Sequence, residues 1–375
     1  MGNTKKPPAG RNQRGGKAAP GRSLADAGRR RRLPWYVITL LFCLGFFGGG
    51  SIWNQWMDAR TAELYPPQGV IIPDLPMDYG DGGEDAAPPS ARPGAAGEEE
   101  GVPEAAEASI HVMVRGQRTR ENQPSVLMLG GWGTVSPALD YQPLYRTLTD
   151  RARVIIVEKP GYGWSGRLFS ERTLDNMVED IIYALGGLEE SGPFVVVAEG
   201  TAGLEAIRMA ETHPSMVAGI VFINAPPPAV YAYRVSRPLD YLKAYTYPAP
   251  RVTGVFRAIA AFAPELLSGG RPEADVEAYA VMFCHNVMSA AMRAEARMLS
   301  RNARSCLADA AGLKVPAVSF IDRAGYEANP EISRVWSDFN RSAAAEVYFC
   351  EPEPRMPLQH AEIPAISRAI LDMAG

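Results

Sequence analysis

Side chains that could share acid–base or nucleophilic chemistry are few and scattered in this sequence. The four histidines lie far apart, at His111, His213, His285 and His360. His111 falls in an apolar run that predicts a strand, His213 precedes a proline in a turn, and His285 lies in a helical region, so structural roles are expected for these three. His360, near the start of the last predicted helix, is the remaining candidate for a general base.

Two carboxylates form a further candidate pair. Glu199 and Asp322 each stand at the end of an apolar run that predicts a strand. Parallel strands place their carboxyl ends at one edge of a sheet, where ligands bind. Nothing in the spacing beyond this proximity favours paired acid–base chemistry.

The cysteines do not predict a metal or redox site. The chain has four of them, without a CxxC pair or a Cys/His cluster, so a zinc or thioredoxin-type site has no support. We therefore expect no metal and no cofactor. A disulfide among Cys284, Cys306 and Cys350 and buried free thiols remain alternatives.

The elements that must position these side chains begin at Ala108. Seven short apolar runs predict strands: SIHVMV, SVLMLG, RVIIVE, FVVVAE, GIVFIN, PAVSFI and EVYFC. Helical spacing predicts helices at 141–150, 173–187, 202–212 and 362–373. The alternation predicts an α/β domain over 108–375 with a mostly parallel sheet covered by helices. Residues 226–312 lack strand runs, which predicts an inserted helical cap over the active edge of the sheet.

A separate segment precedes this domain. Residues 1–33 hold ten Lys and Arg against one Asp, a net charge of +9, and since the whole chain carries −4, the rest carries −13. This basic tail is expected to be disordered and cytoplasmic. Residues 35–53 are uncharged and long enough to span a bilayer as a helix, with tryptophans at both edges.

The positive flank predicts that the N-terminus stays in the cytoplasm and that the C-terminal domain lies outside, anchored in the cell membrane by a single pass. Cleavage of the segment as a secretory signal is the alternative. Because topology accounts for the basic charge and no RNA- or DNA-binding motif accompanies it, no nucleic-acid partner is expected. Residues 54–107 are expected to be a linker with an acidic, Ala- and Pro-rich insert from residue 79 onward.

Four motifs of the domain resemble the α/β-hydrolase superfamily. Gly130-Gly131-Trp132-Gly133-Thr134 is similar to the oxyanion-loop turn, RVIIVEKPGYGWSG to the next strand and turn, and VVVAEGTAGLEAIRMAETHPSMVAGIVFINA to the elbow strand, its helix and the following strand. The pair His213-Pro214 is typical of that last stretch. More narrowly, the G-W-G-T-x-S-P run resembles membrane-tethered bacterial members of the superfamily.

The resemblance implies a nucleophile elbow at Ala198-Glu199-Gly200-Thr201-Ala202, where Gly200 stands at the position of the serine. Glycine fits the strained turn but supplies no nucleophile. Thr201, in a pattern shifted by one residue, is an alternative nucleophile; its expected roles are instead a backbone oxyanion donor and a side-chain cap of the following helix. The other oxyanion donors are expected from the backbone of Gly131 and Trp132.

The triad's base and acid are also implied positions. The base is expected near Pro354 to Met356, where no histidine occurs, and His360 lies about five residues later. Asp322 matches a position of the triad carboxylate, and Asn224 occupies the other place where some members hold the acid. With both serine and histidine absent, Ser–His hydrolysis is not expected.

The predicted function is therefore a non-catalytic pseudo-hydrolase that binds a small apolar or acyl ligand, or a protein partner of unknown kind. An active esterase or amidase with an unusual nucleophile, Thr201 or His360 substituting for the missing groups, is one alternative. A structural envelope module is the other.

Overall fold

The computed structural model describes residues 34–73, 108–167, 170–233, 238–268, 273–353 and 356–375. The chain divides into two compact units, residues 1–45 and 46–375. The predicted cytoplasmic tail, residues 1–33, and the predicted acidic insert lie outside the described residues.

Helix α1, Trp35–Leu64, is longer than the predicted span of 35–53. Its part Trp35–Thr61 has a mean hydropathy of 1.7 and is long and apolar enough to cross a membrane. Within the predicted linker, the helix continues to Leu64 and a strand follows at Val70–Pro73. The reason is a tertiary contact within the second unit. Asn54 and Thr61 are polar but buried, because both accept hydrogen bonds from Arg257 of the cap.

One eight-stranded sheet forms the centre of the second unit, in the order β1-β2-β4-β3-β5-β6-β7-β8. β1 and β2 are antiparallel to their neighbours and all other pairs are parallel. The strands are β1 Val70–Pro73, β2 Ser109–Arg115, β3 Ser125–Leu129, β4 Val154–Glu158, β5 Phe194–Glu199, β6 Val217–Ile223, β7 Ala317–Asp322 and β8 Glu346–Cys350. The predicted strands and the mostly parallel sheet are thereby confirmed, and β1 was not predicted.

Helices cover both faces of the sheet. They are α2 Pro137–Asp140, α3 Gln142–Tyr145, α4 Leu174–Gly187, α5 Ala202–Thr212, α14 Arg323–Glu327, α15 Pro330–Ser342, α16 Leu358–Ala361 and α17 Ile363–Ala374. One apolar core lies beneath α4 and α5, and another beneath α3 and α17. The two cores are separated by the sheet because successive strand side chains point to opposite faces.

The interval between β6 and β7 is helical, as its composition predicts. It contains α6 Pro228–Ala232, α7 Pro238–Thr246, α8 Pro248–Val252, α9 Val255–Phe262, α10 Glu265–Ser268, α11 Glu273–Asn286, α12 Ala290–Ser305 and α13 Leu307–Ala311. A third apolar cluster lies within this cap and reaches Val135 and Tyr162 of the domain. The cap therefore packs on the loops that follow β3 and β4.

Candidate functional site

The sharp turn between β5 and α5 has the geometry of an elbow. β5 ends at Glu199 and α5 begins at Ala202. Between them Gly200 has φ of 57°, the left-handed region that favours glycine. A Cβ built at Gly200 would meet only the Cα of Gly131, at 4.0 Å. The turn thus has room for a side chain that the sequence does not supply.

The two backbone N–H groups that the oxyanion loop presents to this turn have acceptors within the chain. Trp132 donates its backbone N–H to Thr201 Oγ1 at 2.7 Å, and Gly131 donates to Glu199 Oε2 at 3.1 Å. An oxyanion hole functions when such donors are free to point at a developing negative charge. Here the side chains of Thr201 and Glu199 accept the hydrogen bonds that these backbone donors of the oxyanion loop make.

The side chain of Thr201 does not cap α5, so that expectation was wrong. The Thr201 hydroxyl instead accepts the Trp132 N–H across the turn. A cap requires an extended residue before the helix, whereas Thr201 already has helical backbone angles, φ −69° and ψ −18°.

Glu199 is held at the end of β5 by the oxyanion loop. Its Oε2 also accepts from the Thr134 hydroxyl at 3.4 Å. Burial raises the pKa of Glu199, and the hydrogen bonds from Gly131 and Thr134 and the charge of Lys159 oppose that rise. The carboxylate of Asp322 is engaged elsewhere: its two oxygens accept the N–H groups of Ala324 and Gly325 and cap α14.

His360 lies in α16 and is engaged away from the elbow. Its Nε2 lies 2.7 Å from the carbonyl oxygen of Asp140, at the end of α2. The other implied positions supply no imidazole: Met356 is half-buried, and Pro354 and Arg355 lie outside the described residues. Asn224 follows β6 with φ of 42° and donates its backbone N–H to Phe320.

The three remaining histidines have structural partners. His111 Nδ1 lies 2.9 Å from Glu158 Oε2 in the interior. His285 Nδ1 lies 3.0 Å from Asp58 Oδ1, and His213 Nδ1 lies 2.9 Å from the Thr212 hydroxyl. These contacts agree with the structural roles expected from their positions in the sequence.

A group of buried charges lies behind the elbow, and sequence reasoning missed it. Lys159, in the loop after β4, donates to Glu205 Oε1 at 2.7 Å and to Glu295 Oε1 at 3.1 Å. Tyr162 donates its hydroxyl to Glu295 Oε2 at 2.8 Å. Lys159, Glu205, Glu295 and Tyr162, which we call the buried ion cluster, join the sheet edge, α5 and α12 of the cap.

The two glutamates of the buried ion cluster differ in their hydrogen bonds, and the pKa values of its charged groups are shifted. Burial raises the pKa of Glu205 to about 7, with the nearby Glu295 adding to the rise and Lys159 opposing it. Burial lowers the pKa of Lys159, but the two glutamates outweigh it and the pKa is raised. The Glu205 Oε2 atom is buried without a hydrogen-bond partner among the described residues. Glu205 therefore loses its proton only as the pH rises to about 7.

No spacing in the sequence marks this cluster. Its members stand in a turn, on the elbow helix and in the cap, each surrounded by ordinary helix or loop residues. The one available signal is a lysine directly after a buried strand, where a long cationic side chain has few routes to solvent.

A cavity of about 220 Å³ lies between the residues after α1 and the domain, and its lining includes Leu64, Leu139, Trp164, Ala278 and His111. Cys43, Cys284, Cys306 and Cys350 are all free thiols. Among the described residues, no group of three His, Cys, Asp or Glu side chains could hold a metal ion. The expectation of no metal or cofactor stays a prediction.

Comparison with known sequences finds relatives over about a third of the chain. No family model matches it. It is 29% identical over 140 residues to an uncharacterized protein of Schizosaccharomyces pombe, covering 32% of this chain and 26% of that protein. It is 25% identical over 144 residues to the uncharacterized protein YbdG of Bacillus subtilis, covering 38% and 44%. The chain thus spans less than half the length of the curated relatives it matches.

Solved structures match over more of the chain. The haloalkane dehalogenase DbeA-M1 loop variant from Bradyrhizobium elkanii has a TM-score of 0.53 and 16% identity, covering 71% of this chain and 93% of its own. Cfl2 from Burkholderia cenocepacia also scores 0.53, with 18% identity and coverage of 71% and 92%. The thioesterase domain from the curacin biosynthetic pathway scores 0.52, with 15% identity and coverage of 70% and 95%.

At these identities the likeness establishes the fold and not the activity. The sheet order, the elbow turn and the inserted cap all agree with it. The chain has the α/β-hydrolase fold.

Proposed function

We propose that this chain is a membrane-anchored α/β-hydrolase-fold protein that binds a small apolar or acyl ligand without turning it over. The domain lies outside the cytoplasm, and α1 is its single anchor. The observation that carries the absence of turnover is the closed pairing of Trp132 N–H with Thr201 Oγ1, beside a Gly200 that has no side chain.

Three requirements of serine-type catalysis are unmet together: a nucleophile, a free general base and free oxyanion donors. Gly200 supplies no nucleophile, His360 is hydrogen-bonded to the Asp140 carbonyl, and the backbone donors of Gly131 and Trp132 have internal acceptors. A substrate carbonyl would have to displace Thr201 and Glu199 before those donors could stabilise it. Removal of nucleophile or base alone costs orders of magnitude in rate.

The alternative enzyme, with Thr201 as nucleophile, has less support. Among the described residues, the hydrogen bond that its hydroxyl makes is the one accepted from Trp132, and a general base is needed to activate a hydroxyl. His360 cannot serve from its contact with Asp140 without a rearrangement of α16.

The ligand-binding part rests on the cavity of about 220 Å³ beside the end of α1. Leu64, Leu139 and Trp164 give it apolar walls, which suit an acyl chain. Its position next to the last turns of the apolar helix favours a ligand that reaches it from a membrane.

Hydrolysis of p-nitrophenyl acetate and butyrate tests the absence of turnover. The expected rate equals that of buffer alone. A rate above buffer that Thr201→Val or His360→Ala abolishes, in protein that remains folded, would overturn the proposal in favour of an active hydrolase.

Thermal shift with fatty acids and acyl alcohols of graded length tests ligand binding. The melting temperature is expected to rise with ligand concentration, because a ligand that binds only the folded state stabilises it. Ala278→Leu, which fills the cavity, should reduce the shift. Ala210→Leu is the matched control, since Ala210 lines a different cavity of about 200 Å³. An equal reduction in both variants, or no shift with any compound, refutes the assignment.

Carbonate extraction and protease accessibility in intact cells test the anchor. The chain is expected to remain in the membrane fraction and its domain to be digested from outside. Release by carbonate or protection of the domain would contradict the proposed topology.

A further inference from the structure

A second cavity adjoins the one beside the end of α1. Its volume is about 540 Å³, against about 220 Å³ for the first. Both cavities are lined by Gln68, Gln142 and Tyr145. We call the first the apolar cavity, because leucine, methionine and tryptophan side chains line it, and the second the polar cavity. A ligand that extends past the three shared residues occupies both.

Charged side chains distinguish the polar cavity. Its remaining lining residues are Arg115, Gly116, Arg146, Thr149 and Asp150. Two arginines against one aspartate give it a net charge of +1, whereas the described residues that line the apolar cavity include no Lys, Arg, Asp or Glu. Since the whole chain carries −4 and residues 1–33 carry +9, the rest carries −13. The polar cavity is therefore positive on a domain that is negative as a whole.

One face of strand β2 borders both cavities. His111, Met113 and Arg115 alternate along β2, and side chains two residues apart point to the same side of a sheet. His111 and Met113 line the apolar cavity, and Arg115 lines the polar one. Arg115 follows Met113 by two residues, or about 7 Å along a strand that rises about 3.4 Å per residue. A ligand whose chain lies against Met113 can therefore place its end at Arg115.

The turn after α3 lies close to the end of β2. A Cβ built at Gly116 would lie 2.5 Å from the carbonyl oxygen of Thr149, and Gly116 has φ of 68°. Glycine permits both the positive φ and the close approach of the two backbones. The two arginines thus lie on two walls of the polar cavity, Arg115 at the end of β2 and Arg146 at the end of α3.

The guanidinium of Arg115 has donors left for a ligand. Its Nη1 donates to the carbonyl oxygen of Val114 at 3.0 Å, and its Nη2 donates to Gln68 Oε1 at 3.2 Å. Both acceptors are neutral, so among the described residues no carboxylate neutralises Arg115. A guanidinium has five N–H groups, and its planar fork matches the geometry of a carboxylate or a phosphate.

We propose that the polar cavity binds the anionic head group, a carboxylate or a phosphate, of an amphiphile whose acyl chain lies in the apolar cavity. Arg115 and Arg146 bind the head group, and the three residues shared by the two cavities surround the point where head group and chain meet. The inference rests on the ligand of the proposed function and assigns that ligand a negative charge.

Calorimetric titration of the full chain in phosphatidylcholine nanodiscs tests the proposal. The compounds are decanoate, decyl phosphate and decanol, which share one chain length, and the titration of empty nanodiscs is subtracted because each compound also enters the bilayer. At least one anion is expected to bind about tenfold more tightly than decanol, because hydrogen bonds to charged groups are stronger than neutral ones. High salt should reduce that difference. The tighter anion identifies the head group as carboxylate or phosphate.

Two variants separate the head group from the chain. Arg115→Gln should weaken binding of the anions about tenfold and leave decanol unchanged, and Arg115→Lys, which keeps the charge, should restore part of the affinity. Ala278→Leu, in the wall of the apolar cavity, should weaken all three compounds. The matched control is Arg334→Gln, because the side chain of Arg334 is 86% exposed on α15, away from both cavities.

Equal affinity for decanol and both anions in the wild type overturns the inference, and that comparison depends on no variant. The inference also fails if Arg115→Gln weakens decanol as much as it weakens the anions, since the substitution then acts through the shape of the cavities. If none of the three compounds binds, the ligand of the proposed function fails as well. If decanol binds as tightly as the anions, only this inference fails.

Discussion

The elbow and the buried ion cluster lie close together at the carboxyl edge of the sheet, yet their polar groups are organised in opposite ways. At the elbow, single hydrogen bonds join two neighbouring loops, as between Trp132 and Thr201. In the buried ion cluster, Lys159 joins Glu205 of α5 to Glu295 of the cap.

The difference shows that the buried ion pairs of this molecule lie between the cap and the sheet and not at the elbow. A serine hydrolase needs its charged groups at the elbow, where they act on a substrate. Here the ion pairs connect the cap to the sheet, and the carboxylate at the elbow, Glu199, is hydrogen-bonded to the oxyanion loop. Buried charges that lose a partner are costly, so the cluster fixes the position of the cap.

The largest expected effect comes from removing the cation of the cluster. Lys159→Met leaves Glu205 and Glu295 buried without their partner, which should lower the free energy of unfolding by about 3–5 kcal/mol. Denaturant unfolding followed by circular dichroism measures it. Lys314→Met, at an exposed position, should change stability by less than about 0.5 kcal/mol. A similar small loss for both variants would show that the cluster does not fix the cap.

The next largest effect depends on pH. Because the folded-state pKa of Glu205, about 7, lies above its ordinary value of 4.5, the folded state keeps a proton that the unfolded state releases. The contribution of Glu205 to the free energy of unfolding is then largest below pH 4.5 and falls as the pH rises to about 7, by about 3 kcal/mol at 1.36 kcal/mol per pKa unit.

Glu205→Gln should remove this decline, while Glu211→Gln, an exposed change on the same helix, should keep it. Unfolding by urea at a series of pH values provides the profiles. Parallel profiles for wild type and Glu205→Gln would mean that another group holds the proton.

A smaller effect is expected at the elbow. Thr201→Val removes the acceptor of the Trp132 N–H, and an unsatisfied backbone donor should cost about 1–2 kcal/mol and speed hydrogen exchange at Trp132. Thr201→Ser keeps the oxygen and should restore both values. If serine fails to restore them, the methyl packing of Thr201 is responsible and the donors of the oxyanion loop are not closed in this way.

The smallest expected effect is on activity. Gly200→Ser fits the open space at the turn, but with no base in place it should leave p-nitrophenyl butyrate hydrolysis at the level of buffer. Its stability should fall by about 1 kcal/mol because serine adopts a positive φ at a cost. Measurable turnover in this single variant would show that a base lies within reach of the elbow.

Much of the fold could be predicted from the sequence because strand runs and helix periods are local. The predicted helix 202–212 and the strand FVVVAE agree with α5 and β5 residue for residue. β1 was missed, since four residues ending in proline resemble a loop, and only pairing with β2 makes them a strand. The last turns of α1 were missed because Asn54 and Asp58 are polar residues typical of a linker. Only the tertiary contact with Arg257 of the cap shows that they are part of the helix.

The candidate site was less predictable. The glycine at the apex and the lack of a histidine near Met356 are local facts of the sequence. The closure of the oxyanion donors is not, because it depends on which rotamers Glu199 and Thr201 adopt toward a loop nearly 70 residues away. Lys159 and Glu295 lie 136 residues apart, and no periodicity relates them.

The ladder between β1 and β2 has a practical consequence for protein engineering. Pro73 stands opposite Ser109, so the chain leaves the sheet and re-enters it at adjacent positions. A stretch with paired ends on one sheet edge tolerates replacement by a short turn or by an inserted domain. A reporter domain placed between these two residues would sit at the edge of the sheet, covalently continuous with the chain and without interrupting any of the parallel strands.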